Sequence, residues 1–283
     1  MSFSIKQLEL KANDIRQDVI RALVEAKSGH SAGPLGMADI FAALYFHVLH
    51  VDPKNPDWPE RDRLVLSNAH ICPVLYATLA QAGFCDRQQF LTSLRKLGSP
   101  FQGHSNNHFH MGIETCGGPL GQGLSQAVGM AIAARVDDAK WRTYCLTGDG
   151  ELDEGQCWEA IMLAGKERLH NLTLIVDRNN IQIDGFTEQI MPLEPLADKW
   201  RSFNWHVIEI DGHNIRQFID AADEAKAVFE KPTVILAHTI PGKGVSFMEN
   251  KFEWHGKPPN DEEAKAALAE LRTLQGRITS EHE

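Results

Sequence analysis

The sequence is poor in cysteine and in positive charge, and it contains no long apolar run. Its five cysteines form no CxxC pair and are odd in number, which argues against a disulfide framework or a structural zinc site. Lys and Arg number 28 against 38 Asp and Glu, whereas nucleic acids and anionic lipids are bound by clustered positive charge. No apolar stretch reaches the roughly 18 residues of a membrane span, and the N-terminus carries charges where a signal peptide needs its apolar region. We therefore expect a cytoplasmic protein that binds neither nucleic acid nor membrane.

The composition is typical of a globular domain. Hydrophobic residues make up 43% of the chain and charged residues 23%. A chain of 283 residues is long enough to bury a full core. Since no internal repeat, low-complexity tract or linker marks a boundary, we predict a single domain over residues 1–283.

The order of the apolar patterns indicates an α/β fold. Helical spacing runs from Leu8 to Ala26, a second apolar helix is predicted over residues 37–50, and an amphipathic helix follows Asn260. Between them, short β-branched runs alternate with helical patterns, and these runs cover residues 141–147, 171–177, 205–211 and 233–239. This order predicts a parallel sheet flanked by helices, with right-handed crossovers.

Polar residues follow two neighbouring strands of this pattern where the strands end. Gly148-Asp149-Gly150 follows the first strand, and Asn179-Asn180 follows the next. The carboxyl ends of adjacent parallel strands share one edge, where open α/β sheets bind ligands. The glycines allow close approach of a bulky anion, and Asp149 and Asn179 offer the hard oxygen ligands that Mg²⁺ prefers beside phosphates. The residues alone thus predict a magnesium-assisted phosphate site on an exposed edge, where loss of the Asp149 side chain would cost little stability.

Each half of this pattern also has an ordinary structural explanation. GDG is a common turn, and Asn-Asn after a strand is commoner still. The functional interpretation depends on both occurring at the two ends of one crossover unit, with Glu151 directly after the first. The chain also contains 13 histidines, so several of them must be plain surface or core residues.

The GDG and NN segments together resemble the cofactor motif of the thiamine-diphosphate enzymes. Four further segments are similar to those of transketolases: SGH at His30, LSNAH at His70, GGPLGQG from Gly117, and WHG at His255. The resemblance spans nearly the whole chain. It implies the diphosphate-binding (PP) domain fold of these enzymes, with thiamine diphosphate and Mg²⁺ as cofactors.

The resemblance also implies roles for individual residues. Those implied for the cofactor are Asp149, Asn179 and the carbonyl of Ile181 as magnesium ligands, Gly150 and His70 at the diphosphate, and Gly118 and Leu120 against the pyrimidine ring. Those implied for catalysis are His30, His104 and His255, which would line the substrate funnel, with His255 also near the cofactor, and Glu154, a carboxylate at the subunit interface.

The chain departs from the family pattern around these residues. The family usually has proline beside the histidine at position 104, whereas this chain reads QGHSNNHFH, so His108 and His110 are alternatives to His104. Arg178 and Asn180 flank Asn179 where acidic residues and glycine are frequent in the family. Because the departures lie around substrate-facing loops, they leave the identity of the sugar open.

A full-length transketolase continues into a pyrimidine-binding domain and a third domain, and this sequence ends before them. The resemblance therefore implies a two-chain transketolase that transfers a two-carbon ketol unit from a ketose phosphate to an aldose. This chain would be the N-terminal subunit, paired with a separately encoded pyrimidine-domain subunit in an α2β2 assembly.

Three alternatives stay open from the sequence. The alpha subunit of a 2-oxo acid dehydrogenase is also split and has a similar motif, although GPLGQG and LSNAH speak against it. Deoxyxylulose-phosphate synthase shares these motifs but normally continues in one chain. A catalytically silent regulator could retain the fold, although the intact metal ligands disfavour it.

Overall fold

The computed structural model describes residues 3–109 and 111–281. Within them, five strands pair in parallel in the order β1-β2-β3-β7-β6. These strands are β1 (Arg63–Leu66), β2 (Thr143–Gly148), β3 (Leu172–Arg178), β6 (His206–Asp211) and β7 (Thr233–His238). A separate antiparallel hairpin, β4 (Ile181–Gln182) and β5 (Gly185–Phe186), follows β3.

Helices cover both faces of the sheet. They are α1 (Ile5–Ala26), α2 (Ala32–Gly36), α3 (Ala38–Ala43), α4 (Cys72–Ala82), α5 (Arg87–Ser93), α6 (Gln122–Val136), α7 (Gly155–Glu167), α8 (Thr187–Ile190), α9 (Leu196–Ser202), α10 (Ile215–Ala227) and α11 (Asp261–Glu281). None of the described helices is both long enough and apolar enough to cross a bilayer.

Two apolar layers hold the helices on the sheet. Successive strand residues point to opposite faces, so Leu146 and Ile175 pack into one layer while Cys145 and Leu174 pack into the other. The first layer joins the sheet to α1, α3, α4, α10 and α11, and the second joins it to α6, α7 and α9. The predicted parallel sheet flanked by helices is confirmed.

Two features of the fold differ from the sequence prediction. The predicted helix over residues 37–50 is interrupted: α3 ends at Ala43 and a π-helical turn covers Leu44–Val48. Strand β1 was not predicted, because its four residues follow a proline-rich connector and lack a long β-branched run. Its position matters, since β1 lies beside β2 and brings Ser67 and Asn68 to the edge where Asp149 lies.

Candidate functional site

Ten of the residues singled out from the sequence line one cavity of about 270 Å³ at the carboxyl edge of the sheet. They come from the segments after β1, β2 and β3, from the glycine-rich loop before α6, and from the segments around positions 30, 104 and 255. They are His30, His70, His104, Gly118, Leu120, Asp149, Gly150, Asn179, Ile181 and His255.

The pairing of β2 with β3 explains why the GDG and NN segments meet. Gly148 is the register partner of Asp177, so the residues after each strand leave the sheet side by side. The Asp149 amide donates a hydrogen bond to the Asp177 carbonyl at 3.2 Å. The convergence expected from the sequence follows directly from this fixed register.

Asp149 is buried, which corrects the expectation of an exposed edge: its relative exposure is 1%. Its Oδ2 accepts hydrogen bonds from Arg178 Nη1 at 3.0 Å and the Asn180 amide at 2.7 Å, and Oδ1 accepts one from the Gly150 amide at 2.8 Å. The hairpin after β3 and the Arg178 side chain cover the carboxylate, and the sequence pattern gives no sign of this covering. Removal of the side chain therefore leaves buried donors without an acceptor, which costs stability.

Burial raises the pKa of Asp149 to about 6, although the positive charge of Arg178 and the hydrogen bonds from Asn180, Arg178 and Gly150 oppose the change. The charged carboxylate thus carries a desolvation cost in the protein alone. A divalent cation bound to this carboxylate would offset that cost, because an adjacent positive charge favours the ionised form.

Asp177 and Asn179 extend the polar edge beside Asp149. Asn179 Nδ2 donates to Asp177 Oδ2 at 2.8 Å, and Asn179 Oδ1 accepts from the Ile181 amide at 3.0 Å. The Thr239 hydroxyl donates to the other oxygen of Asp177. Burial raises the pKa of Asp177 to about 7, and the nearby negative charge of Asp149 adds to the effect. Asp149, Asp177 and Asn179 together form what we call the carboxylate wall.

Glu151 connects three of the loops that line the cavity. Its Oε1 accepts hydrogen bonds from the Ser67 hydroxyl and the Gly121 amide, and its Oε2 accepts one from the Gly148 amide. The side chain is buried and lines the cavity. The sequence places this glutamate directly after GDG but gives no sign of its role, because two of its three partners are distant along the chain.

Two glycines at the cavity stand where a larger residue would be strained or would clash. Gly118 has a φ of +137°, a conformation that other residues rarely adopt. A Cβ on Gly150 would lie 2.9 Å from Gln182 Cβ, so the GDG turn packs tightly against the hairpin after β3. Both positions explain why glycine is needed where the motif has it.

Three histidines that contact one another also line the cavity, and we call them the histidine cluster: His30, His70 and His255. Their ring centroids lie 5.0 Å apart for His30 and His70, 5.5 Å for His30 and His255, and 5.1 Å for His70 and His255. Burial, followed by the mutual repulsion of His30 and His255, lowers the pKa of His30 to about 4. Burial also lowers the pKa of His70 and of His255. All three rings are therefore neutral at neutral pH, ready to donate through one nitrogen and accept through the other.

The remaining predicted residues divide between cavity and surface. His104 is exposed but lines the cavity, whereas its alternative His108 lies in a 3₁₀ turn away from the cavity lining. The other alternative, His110, lies outside the described residues. Glu154 is exposed just before α7 and does not line the cavity. Its role at an interface stays a prediction.

The donor set fits a phosphate-bound magnesium ion. Asp149, Asn179 and Ile181 line the same cavity wall and offer a carboxylate, an amide oxygen and a carbonyl, all of them hard oxygen ligands. The described residues contain no group of three or more His, Cys, Asp and Glu side chains placed to hold a metal. Phosphate oxygens and water would have to complete the coordination, as they commonly do for Mg²⁺.

Two buried polar atoms at the cavity also fit a bound polar ligand. Asn68 Oδ1 and His30 Nδ1 have no hydrogen-bond partner within the described part of the chain. Both residues line the cavity. Buried polar atoms are nearly always partnered in native proteins, so these two fit a ligand group bound in the cavity. The fold and the site together define an α/β domain that binds a phosphorylated cofactor at the carboxyl edge of its sheet.

Comparisons with known proteins identify the family. Residues 8–274 match the model of the family described as "Transketolase, thiamine diphosphate binding domain". The chain therefore belongs to the transketolase family and corresponds to its thiamine diphosphate-binding domain.

The relatives fall into two groups by length. The 6-deoxy-6-sulfo-D-fructose transketolase subunit SqwG of Clostridium sp. (strain MSTE9) is 47% identical, over 93% of this chain and 96% of the relative. One of the subunits of the apulose-4-phosphate transketolase of Phocaeicola vulgatus is 39% identical, over 94% of each chain. The alignment with human transketolase, at 37% identity, covers 94% of this chain but 42% of the human protein.

Solved structures show the same relation. The crystal structure of transketolase from Campylobacter jejuni matches with a TM-score of 0.86 and 34% identity, over 96% of this chain and 45% of that one. The chain thus spans less than half the length of these longer transketolases.

Proposed function

We propose that this chain is the N-terminal, diphosphate-binding subunit of a two-chain transketolase, which transfers a two-carbon ketol unit from a ketose phosphate to an aldose acceptor. The observation that carries the proposal is the single cavity that joins the carboxylate wall, the glycine-rich loop and the histidine cluster. Relatives of the same length are named as transketolase subunits, which supports the division between two chains.

The carboxylate wall holds the metal and the diphosphate in this proposal. Asp149, Asn179 and the Ile181 carbonyl bind Mg²⁺, and Gly150 allows the diphosphate to approach the backbone. His70, which lines the same cavity, would hydrogen-bond the diphosphate. When bound, thiamine diphosphate supplies the carbanion-stabilising chemistry that carries the two-carbon unit.

The other cavity residues orient the pyrimidine ring and the sugars. Gly118 and Leu120 lie against the pyrimidine ring. His30, His104 and His255 hold sugar hydroxyls and move protons at the substrate oxygens, a task suited to imidazoles that are neutral at neutral pH. The lowered pKa of each of these histidines supports that assignment.

The partner is a pyrimidine-domain subunit encoded separately, and the assembly is α2β2. Exposed apolar side chains on α6 and α7 support an interface on the face of the sheet that these helices cover. Val136 is 77% exposed, Met162 56% and Leu163 43%. Glu154 lies at the start of α7, where it would contact a neighbouring subunit.

The names of two relatives specify different sugars. The proposal therefore names only the classes of donor and acceptor, a ketose phosphate and an aldose.

A mixing assay tests the division of labour. Two-carbon transfer from a ketose to an aldose is measured for this chain, for the candidate partner and for the mixture, each with Mg²⁺ and thiamine diphosphate. We expect no transfer by either chain and robust transfer by the mixture. Robust turnover by this chain alone, with contaminating transketolase excluded, would overturn the proposal.

A further inference from the structure

Arg178 differs from the residue that the family resemblance led us to expect, and the structure gives it four partners. Its Nη1 donates to Asp149 Oδ2 at 3.0 Å and to the Thr187 hydroxyl at 2.9 Å. Its Nη2 donates to Glu188 Oε1 at 2.9 Å and to Glu194 Oε1 at 3.0 Å. The Arg178 side chain is only 4% exposed, and it lines a second cavity that is separate from the one lined by Asp149.

The partners beyond Asp149 all belong to one stretch, residues 187–194, which contains α8 and the turn after it. Glu188 braces this stretch by accepting hydrogen bonds from the amides of Leu193 and Glu194. Glu194 in turn accepts from the Leu196 amide at 2.8 Å. The two carboxylates of this segment that Arg178 binds, those of Glu188 and Glu194, thus also hydrogen-bond backbone amides within or next to it.

We propose that Arg178 is a positioning residue that ties the Asp149 carboxylate to the 187–194 segment, so that cofactor binding and ordering of this segment stabilise each other. The proposal rests on the proposed function, in which Asp149 binds magnesium. Arg178 and the Asn180 amide donate to Oδ2 of Asp149, whereas among the described residues only the Gly150 amide donates to Oδ1, which leaves Oδ1 as the oxygen with spare capacity for the metal.

The charges around Arg178 favour this link between Asp149 and the 187–194 segment. One guanidinium faces three carboxylates, those of Asp149, Glu188 and Glu194. Without the guanidinium these carboxylates would repel one another, and the two exposed ones would be free to move away. A lysine keeps the charge but lacks the planar fork that reaches several acceptors at once. Coupling between two sites is reciprocal, so a looser segment must also weaken cofactor binding.

Hydrogen exchange read by mass spectrometry tests the coupling on the full chain co-purified with its partner subunit. In the wild type, Mg²⁺ with thiamine diphosphate should slow exchange in residues 146–154 and in residues 187–194. In Arg178→Lys we expect faster exchange of 187–194 before any ligand is added, by on the order of tenfold, because local opening is easier. The ligands should then protect 146–154 but not 187–194.

Arg201→Lys is the matched control. Arg201 lines the same second cavity as Arg178 and pairs with Asp198 at 2.8 Å, but it makes no hydrogen bond to Asp149. It should behave as the wild type does. If Arg178→Lys keeps ligand-induced protection of 187–194, the coupling is wrong while the proposed function stands. Absence of protection at 146–154 in the wild type counts against the cofactor site itself, and the coupling falls with it.

Glu194→Gln keeps the proposal testable if Arg178→Lys does not fold. Glu194 is 58% exposed by side chain and does not contact Asp149, so a merely local role would leave cofactor binding unchanged. We expect the magnesium-dependent affinity for thiamine diphosphate, measured by calorimetry, to fall by about threefold to tenfold, a modest allosteric effect. An affinity equal to that of the wild type contradicts the coupling.

Discussion

The two sides of the cavity meet their polar requirements in different ways. In the carboxylate wall, Asp149 accepts three hydrogen bonds and Asp177 accepts two, all from other parts of the same chain. In the histidine cluster, the rings contact one another, and a buried nitrogen of His30 has no partner in the described residues. The carboxylate wall is preorganised by the fold, whereas the histidine cluster leaves hydrogen-bonding capacity for a ligand.

This difference suggests that the carboxylate wall contributes mainly to stability and the histidine cluster mainly to function. A preorganised polar network stabilises the folded state, so its disruption lowers the free energy of unfolding even in the absence of ligand. Buried groups left unpaired do not stabilise the fold, but they are available to substrate and cofactor. Substitutions on the two sides should therefore have distinguishable effects, and we expect the larger effect from the histidine cluster.

Alanine at His30 or at His255 should lower turnover of the assembled enzyme by roughly 100-fold, the usual scale for loss of a group that assists proton transfer. The free energy of unfolding should change by about 1 kcal/mol or less, because neither ring is fully buried. Steady-state assays and denaturant unfolding measure the two effects. His50→Ala is the control, since His50 is exposed and lies edge-on to Trp58 away from the cavity. Full donor cleavage and transfer rates in both variants would show that the histidine cluster has no role in the reaction.

Asp149→Ala should lower the free energy of unfolding of the protein without cofactor by about 1–3 kcal/mol, because buried donors lose their acceptor. The loss should stay in this range since Arg178 retains Glu188 and Glu194. Asp149→Asn, which keeps an acceptor of the same shape, should lose less. Urea denaturation of the three proteins gives the comparison. A stability of the alanine variant equal to the wild type would mean that the carboxylate wall is not preorganised as described.

The sequence was sufficient to predict that the site residues meet. Once a parallel sheet is inferred, the ends of β2 and β3 must lie together, so Asp149 and Asn179 could be placed without coordinates. The glycines that flank Asp149 indicated a tight turn, and Gly150 packs closely against Gln182; the approach of an anion to them stays a prediction.

The surroundings of these residues could not be predicted in the same way. The burial of Asp149 depends on Arg178 and on the hairpin after β3. A single side chain has no periodic pattern, and the two strands of this hairpin have two residues each, too few to show one. Glu151 accepts hydrogen bonds from three residues, and two of them, Ser67 and Gly121, are distant in sequence. Strand β1 has four residues, too few for a periodic signal. Contacts that depend on tertiary packing therefore could not be predicted from the sequence, whereas contacts that depend on strand register could.

The magnesium dependence of cofactor binding tests the central claim most directly. Thiamine diphosphate is titrated calorimetrically into the complex of this chain with its partner, with Mg²⁺ and then with a chelator, for the wild type and for Asp149→Asn. We predict that Mg²⁺ strengthens binding to the wild type and that Asp149→Asn loses this strengthening, since the charged metal ligand is gone. A wild-type affinity that is the same with Mg²⁺ and with the chelator, or an Asp149→Asn variant that keeps the full magnesium effect, would contradict the assignment of this cavity.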